Sequence, residues 1–243
     1  ECLVGSEMCI RDSLYAGKPV VIKPKSTNFG LGITILKHNY DETDFKAALQ
    51  IAFEHDNTVL IEKFIPGREF RIFIINDEVV GILHRVPANV TGDGVLNIGQ
   101  LIDRKNEDPL RGKGYRTPLE KIRKGREEEM FLKQQGMDFN TVPKEREVVY
   151  LRENSNISTG GDSIDFTDDI DDSYKAIAVE AAKALNVKIT GLDMMIQDIH
   201  APATPDNYAI IEMNFNPAIH IHCYPFKGKN RHLNHKMIRA LGF

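Results

Sequence analysis

The sequence predicts an α+β protein with mixed or antiparallel sheets. Three observations carry that expectation: short β-branched runs bounded by Gly, Pro, Asn and Asp; amphipathic stretches of helical period between some of them; and adjacent runs at 69–75 and 78–86 separated only by Asn76-Asp77, which reads as a hairpin turn. At 243 residues, 42% of them hydrophobic, the chain is long enough for one large domain or two lobes with buried cores.

Residues 1–13 (ECLVGSEMCIRDS) have neither helical nor strand periodicity and neither the basic nor the apolar region of a signal peptide. They are expected to be a non-native leader, with the natural chain extending further upstream. From Lys18 the pattern becomes regular. Val20-Val21-Ile22 is a short strand ended by Lys23-Pro24, residues 26–32 are a loop of small and polar residues, and 33–36 are a second strand. Residues 41–55 follow a helical period through Phe45, Ala48, Leu49, Ala52 and Phe53, with acidic residues in the first turn. Strand returns at 59–65, breaks at Pro66-Gly67 and is followed by the 69–75/78–86 hairpin. Residues 87–118 are a long Gly-, Asn-, Asp- and Arg-rich connection with one helical stretch at 98–105. A charged helix is expected at 119–135, a strand at 148–151, a Gly/Ser/Asn loop at 154–163 and a helix at 168–185. Strands at 189–197 and 208–214 and a helix at 230–241 complete the chain.

The 31 basic and 35 acidic residues, for a net charge of −4, fit neither a basic nucleic-acid binder nor a disordered polyelectrolyte. No apolar run approaches the ~20 residues that span a bilayer. Nucleic acid and membrane are therefore not expected as partners. Of three cysteines, Cys2 and Cys9 fall in the first thirteen residues, which argues against a disulfide framework and for a reducing, cytoplasmic setting.

Four groups of residues carry chemistry. Lys23 at a strand end, followed by Ser26-Thr27-Asn28-Phe29-Gly30-Leu31-Gly32, combines a cation with backbone amides able to close on polyphosphate, although the Walker order is absent and a hairpin turn with a surface lysine would look the same. Asp193, within Gly191-Leu192-Asp193-Met194-Met195, and Glu212-Met213-Asn214 lie on two strands separated by a short turn. If those strands pair, Glu212 and Asn214 share a face and Asp193 can oppose them. Acidic groups on apolar strands need a cation or a positive partner, and two carboxylates with a carboxamide suit Mg²⁺; a pair of salt-bridged strand residues is the alternative. Arg85, Arg111 and the stretch from Asn156 to Gly161 sit in three glycine-punctuated polar loops, where arginine forks suit carboxylate or phosphate. Last, His220-Ile221-His222-Cys223 looks like a soft-metal cluster. On a strand its histidines would share a side, but a structural zinc site takes four ligands and no second Cys/His pair with finger spacing exists, so hydrogen-bonded or substrate-facing histidines are expected instead.

With Lys23-Pro24 and its loop, the strand Val59-Leu60-Ile61-Glu62-Lys63-Phe64-Ile65, Gly67-Arg68-Glu69 and the spaced Asp193, Glu212 and Asn214, the chain resembles the ATP-grasp carboxylate–amine ligases. Longer strings sharpen this: RVPANV from Arg85 with Gly92-Asp93-Gly94, NEDPLRGKGYRTPLEKI from Asn106, YLRENSNISTGGDSID from Tyr150, and EMNFNPAIHIHCYP from Glu212. Together, over about residues 18–243, they resemble the glutathione synthetase module of bacterial bifunctional enzymes that fuse glutamate–cysteine ligase to glutathione synthetase.

The resemblance implies an ATP-grasp fold in which two α+β lobes grip ATP between mixed or antiparallel sheets: residues 14–66 as a small lobe with the glycine-rich loop, and 67–243 as a large lobe with the metal and acceptor site. By the same resemblance Lys23 contacts ATP phosphates, and the loop with Gly30 and Gly32 closes over them. Glu62, Lys63, Phe64 and Ile65 receive adenine through backbone groups, and Glu69 binds ribose hydroxyls. Asp193, Glu212 and Asn214 hold magnesium, with two ions expected, Glu212 bridging them, and Mn²⁺ as an alternative. Arg85, Arg111 and Asn156 fall near the γ-phosphate and the acceptor as catalytic groups. The implied reaction phosphorylates the cysteinyl carboxylate of γ-glutamylcysteine with ATP and lets glycine displace phosphate to give glutathione. The upstream lobe and fused ligase domain of the family are not found here, so the chain is expected to be truncated, and a homo-oligomer is left open. The rivals are a cyanophycin-synthetase-like amide ligase, which shares the Arg-x-Pro-Ala, Gly-Asp-Gly and Ser-Thr-Gly-Gly elements, and a nucleotide-binding module without turnover.

Overall fold

The computed structural model describes residues 2–4, 17–27, 31–37 and 40–243. The chain divides into two compact units, Glu1–Ile65 and Pro66–Phe243.

In the first unit, β1 (Cys2–Val4), β2 (Val20–Pro24), β3 (Thr34–Leu36) and β4 (Thr58–Lys63) form an antiparallel sheet of order β1-β4-β2-β3. The short β1, which pairs with the stretch of β4 from Thr58 to Leu60, lies in a segment where no strand periodicity is visible. Helix α1 (Glu42–Phe53) begins at Asp41, whose carboxylate accepts from the Thr43 and Asp44 amides while Asp44 reaches back, a reciprocal cap that satisfies orphan N–H groups. Its Phe45, Ala48, Leu49 and Ala52 pack on Val20, Ile22, Val59 and Ile61.

The second unit is built on a five-stranded sheet of order β11-β6-β5-β12-β13. These strands are β5 (Arg68–Ile75), β6 (Glu78–Val86), β11 (Asp162–Asp165), β12 (Ile189–Ile196) and β13 (Tyr208–Asn214), and every neighbouring pair is antiparallel. The β5–β6 turn puts Asn76 and Asp77 at φ 47° and 65°, the left-handed pair that a tight hairpin of native twist requires. Because side chains alternate across a strand, Phe70, Ile72 and Ile74 of β5 join Ile82, Leu192, Met194 and Ile196 in a core sealed by Tyr174, Ala178 and Ala182 of α4 (Asp172–Ala184). Glu69, Arg71 and Phe73 face the other way. A satellite core under the 87–151 region joins Val90 and Val149 of the pair β7 (Asn89–Thr91) and β10 (Val148–Tyr150) to Ile98, Leu101 and Ile102 of α2 (Ile98–Lys105) and Leu132 of α3 (Arg126–Gln134).

Several local expectations are corrected. Residues 119–135 do not form one helix: Leu119–Glu120 is a short strand, β9, parallel to β8 (Arg111–Gly112), and helix begins only after Gly125, where Glu128 accepts from the Gly125 amide. The strand β7 falls inside the long connection. Residues 220–223 are not extended but form the one-turn helix α5 (His220–Cys223), so His220 and His222 do not share a strand face. The last helix, α6 (Leu233–Ala240), starts later than expected, after His232 in the left-handed region. Among the described residues no helix is long and apolar enough to cross a membrane.

Candidate functional site

In the first unit Lys23 and Glu62, on adjacent strands, form an ion pair at 2.8 Å. The two residues expected at phosphate and adenine thus neutralise each other here. Gly32 has φ 75°, and a Cβ there would lie 2.6 Å from the His55 ring and 2.7 Å from Pro24, so both conformation and space require glycine. Gly30 lies outside the described residues. Lys63 ends β4 exposed, Phe64 and Ile65 are half-buried, and the Phe64 amide donates to Pro19 O at 3.0 Å. That amide is committed within the unit, so recognition through this segment's backbone would fall to its neighbours.

In the second unit the sheet face turned away from α4 collects charge. Register sets a row across it: Leu83 of β6 opposes Arg71 of β5, Arg71 opposes Asp193 of β12, and Asp193 opposes Glu212 of β13. Arg71 grips Asp193 with two parallel bonds, Nε to Oδ1 and Nη2 to Oδ2 at 2.8 Å. Arg85 Nη2 donates to Asp193 Oδ2 at 2.9 Å and also pairs with Glu69 Oε1. Glu69 Oε2 accepts from the Ser155 hydroxyl. At the other end Asn214 Nδ2 donates to Glu212 Oε1 at 3.1 Å. Asp193 is 2% exposed. Burial alone pushes its carboxyl up, but hydrogen bonds from Arg71, the charges of Arg85 and Arg71 and the neighbouring Glu212 outweigh that and hold it below the usual carboxylate range.

Asp193, Glu212 and Asn214 therefore come together as expected from the paired strands. Whether they suit a divalent cation follows from their chemistry. Two carboxyl groups side by side repel unless a proton or cation lies between them, Asn214 keeps its Oδ1 as a further hard donor, and Glu212 is exposed at the sheet edge. By donor chemistry the set fits a hard divalent cation such as Mg²⁺. Among the described residues no three His, Cys, Asp or Glu side chains converge to hold an ion.

Arg111 stands apart from this row. Its side chain is fully buried, with Nη1 donating to Glu120 O at 2.8 Å and Gly160 O at 3.0 Å, and Nη2 paired with Asp162. It braces the base of the 154–161 loop from inside. Asn156, half-buried in that loop, turns it through its carbonyl, which accepts from the Thr159 and Gly161 amides, while its carboxamide bonds to no other described residue. Sequence reasoning missed Arg71 and Ser155. A signal for Arg71 was present, since a cation two residues beyond Glu69 in an otherwise apolar strand must share its face; Ser155 carried no such signal, being one polar loop residue among many.

His222 lies beneath the same face, fully buried, its ring edge-on to Phe73 with centroids 5.4 Å apart. A Cβ on Gly81 would come within 2.9 Å of its Nδ1, so the sheet leaves out a side chain to admit the imidazole. Burial, then the charge of Arg71, pushes its pKa down to about 3. Cys223 is buried beside it.

Comparison with known proteins now bears on this arrangement. The family model described as D-ala D-ala ligase C-terminus matches residues 6–97. The glutathione biosynthesis bifunctional protein GshAB of Desulfotalea psychrophila is 63% identical over 229 residues, which is 94% of this chain and 29% of that protein. A crystal structure of a bifunctional glutathione synthetase from Pasteurella multocida superposes with a TM-score of 0.73 at 45% identity, covering 99% of this chain and 33% of that one. The ATP-grasp ligase PsnB, at 12% identity and a TM-score of 0.50, covers 99% of this chain and 52% of that one and shares the fold alone. The chain thus spans about a third of the length of the bifunctional proteins it matches. It is an ATP-grasp domain that corresponds to the glutathione-synthetase part of the bacterial bifunctional glutathione biosynthesis proteins.

Proposed function

We propose that this chain is the glutathione-forming part of a larger cytoplasmic enzyme, an ATP-dependent ligase that joins γ-glutamylcysteine to glycine. The observation that supports it most is the row Arg71–Asp193–Glu212 with Asn214 and Arg85 on one sheet face, in a chain 63% identical to a protein named for glutathione biosynthesis. Glu69 accepts hydrogen bonds from ribose hydroxyls, while Lys23 and the glycine loop meet the phosphates and residues 62–65 the adenine. Asp193, Glu212 and Asn214 would hold magnesium, with two ions expected, or Mn²⁺, and the metal would supply neutralisation of phosphate charge.

A carboxylate oxygen of γ-glutamylcysteine attacks the γ-phosphorus as the bond to ADP breaks. The glycine amine then attacks the acyl carbon, phosphate leaves, and the amine proton passes to phosphate or solvent. Arg71 keeps Asp193 oriented and ionised. Arg85, which pairs with Glu69 and Asp193, meets the charge that builds on the transferred phosphoryl group in this reading. Arg111 acts at one remove, fixing the loop that presents Asn156. Exclusion of water matters, because an acyl phosphate hydrolyses readily.

The test grafts this chain in place of the matching segment of a bifunctional relative and supplies γ-glutamylcysteine, glycine, ATP and Mg²⁺. Phosphate release that depends on both acceptors is expected. Release only with an aspartate/arginine polymer would transfer the chain to the cyanophycin-type ligases, and Mg·ATP binding with no release for any acceptor would leave a nucleotide-binding module.

A further inference from the structure

Glu69 is held at three points. His84 Nδ1 donates to its main-chain oxygen at 2.9 Å, Arg85 takes one carboxylate oxygen, and Ser155 takes the other. The first two partners sit on β6, the strand beside it. Ser155 is 86 residues away in sequence and comes from the loop between β10 and β11. That loop is itself braced: Thr159 Oγ1 donates to Asn154 Oδ1 at 2.9 Å and Asn156 O at 2.8 Å, and Arg111 donates to Gly160 O. A hydroxyl reaching out of a braced loop to a carboxylate on another element fixes the plane of that carboxylate, which a single arginine contact on one oxygen leaves free to swing about its last torsion.

We propose that Ser155 is a positioning residue for sugar recognition: it orients Glu69 so that the unused lone pairs of the carboxylate meet the ribose hydroxyls of the nucleotide, and it ties that recognition to the loop that carries Asn156. The inference rests on the assignment of Glu69 to ribose made above. An ionised carboxylate has about four acceptor positions, so Arg85 and Ser155 leave roughly one on each oxygen. Two vicinal hydroxyls can use both only if the carboxylate stays in one plane. Serine fits the task because its hydroxyl donates to Glu69 and still accepts. Alanine would release the carboxylate, whereas threonine keeps the donor.

The decisive quantity is the ratio of affinities for Mg·ATP and Mg·2′-deoxyATP, measured by calorimetry on this chain and on its Ser155→Ala, Ser155→Thr, Glu69→Gln and Ser155→Ala/Glu69→Gln variants. A hydrogen bond to a charged group makes a preference for ATP of roughly tenfold the expectation for the unaltered chain. Ser155→Ala should cut the ratio to roughly twofold, Ser155→Thr should retain it, and the double variant should match Glu69→Gln alone, since both act through one carboxylate. Equal weakening toward both nucleotides in Ser155→Ala, or a ratio unchanged from the unaltered chain, overturns the role of Ser155 and leaves that of Glu69 standing. An unaltered chain that binds both nucleotides equally removes the ribose assignment of Glu69 and Ser155 with it.

Discussion

His222 has no exposed surface and neither ring nitrogen has a partner among the described residues, a costly state that an imidazole tolerates only when neutral. His84, packed between Phe70 and Phe166, is pushed down to about 4 by burial and then by the charge of Arg68. Both folded values lie below the ordinary histidine value of about 6.5. The unfolded chain therefore binds these protons first, and the stability the two residues contribute is complete above about pH 6.5 and lost as pH falls through about 4 for His84 and about 3 for His222. The melting temperature should drop over that interval, each histidine adding up to about 1.4 kcal/mol per pH unit to the slope. Replacing the imidazole by a flexible apolar side chain, His222→Met, should raise the melting temperature at pH 7 and remove about half of the loss; a variant with the parental slope would place the acid sensitivity elsewhere. Arg111 poses the opposite case, a buried charge fully paired except at Nε. Asp162→Asn leaves it, and the partly buried Lys105 beside it, without their carboxylate, and should cost about 3–5 kcal/mol in urea unfolding. A cost below about 1 kcal/mol would mean that the guanidinium finds water.

Elements were legible where the pattern was local. The strand run at 69–75, the Asn76-Asp77 turn and the helical period of 41–55 with its acidic first turn all depend on neighbours in sequence, and each appears in the structure. The hairpin invites a direct measurement. Asp77 at φ 65° carries a left-handed conformation that glycine adopts freely, and its contact with Lys183 is a long, exposed 3.6 Å. Asp77→Gly should therefore stabilise the chain by roughly 0.5 kcal/mol, read as a higher denaturation midpoint with unchanged slope. Destabilisation would show that the ion pair outweighs the backbone. The illegible elements depend on distant partners. Leu119–Glu120 is a strand only because Arg111–Gly112 lies beside it, and residues 220–223 coil because Ile221, His222 and Cys223 are buried against the sheet, not because four residues carry a period. The acid–amide trio was legible because its two strands follow one another in sequence, joined by residues 197–207, whereas the pairing of β12 with β5, which brings Arg71 to Asp193, joins residues 122 positions apart.

At the scale of the whole molecule, each of the two units has its own apolar core, and the candidate groups divide between them: a lysine, a glycine loop and a strand end in the first, the carboxylate row and its arginines in the second. The account stands or falls on the second, because that face combines adjacent carboxyl groups, a carboxamide and two arginines. Thermal unfolding of this chain with and without Mg·ADP tests it most directly. At a hundredfold excess over the dissociation constant the ligand should stabilise the unaltered chain by about 2.7 kcal/mol. Glu212→Ala, an exposed substitution at the sheet edge that leaves the buried Arg71–Asp193 pair intact, should abolish the magnesium-dependent part of that protection. Equal protection of the variant, or none in the unaltered chain, would contradict the assignment of this face to a magnesium nucleotide.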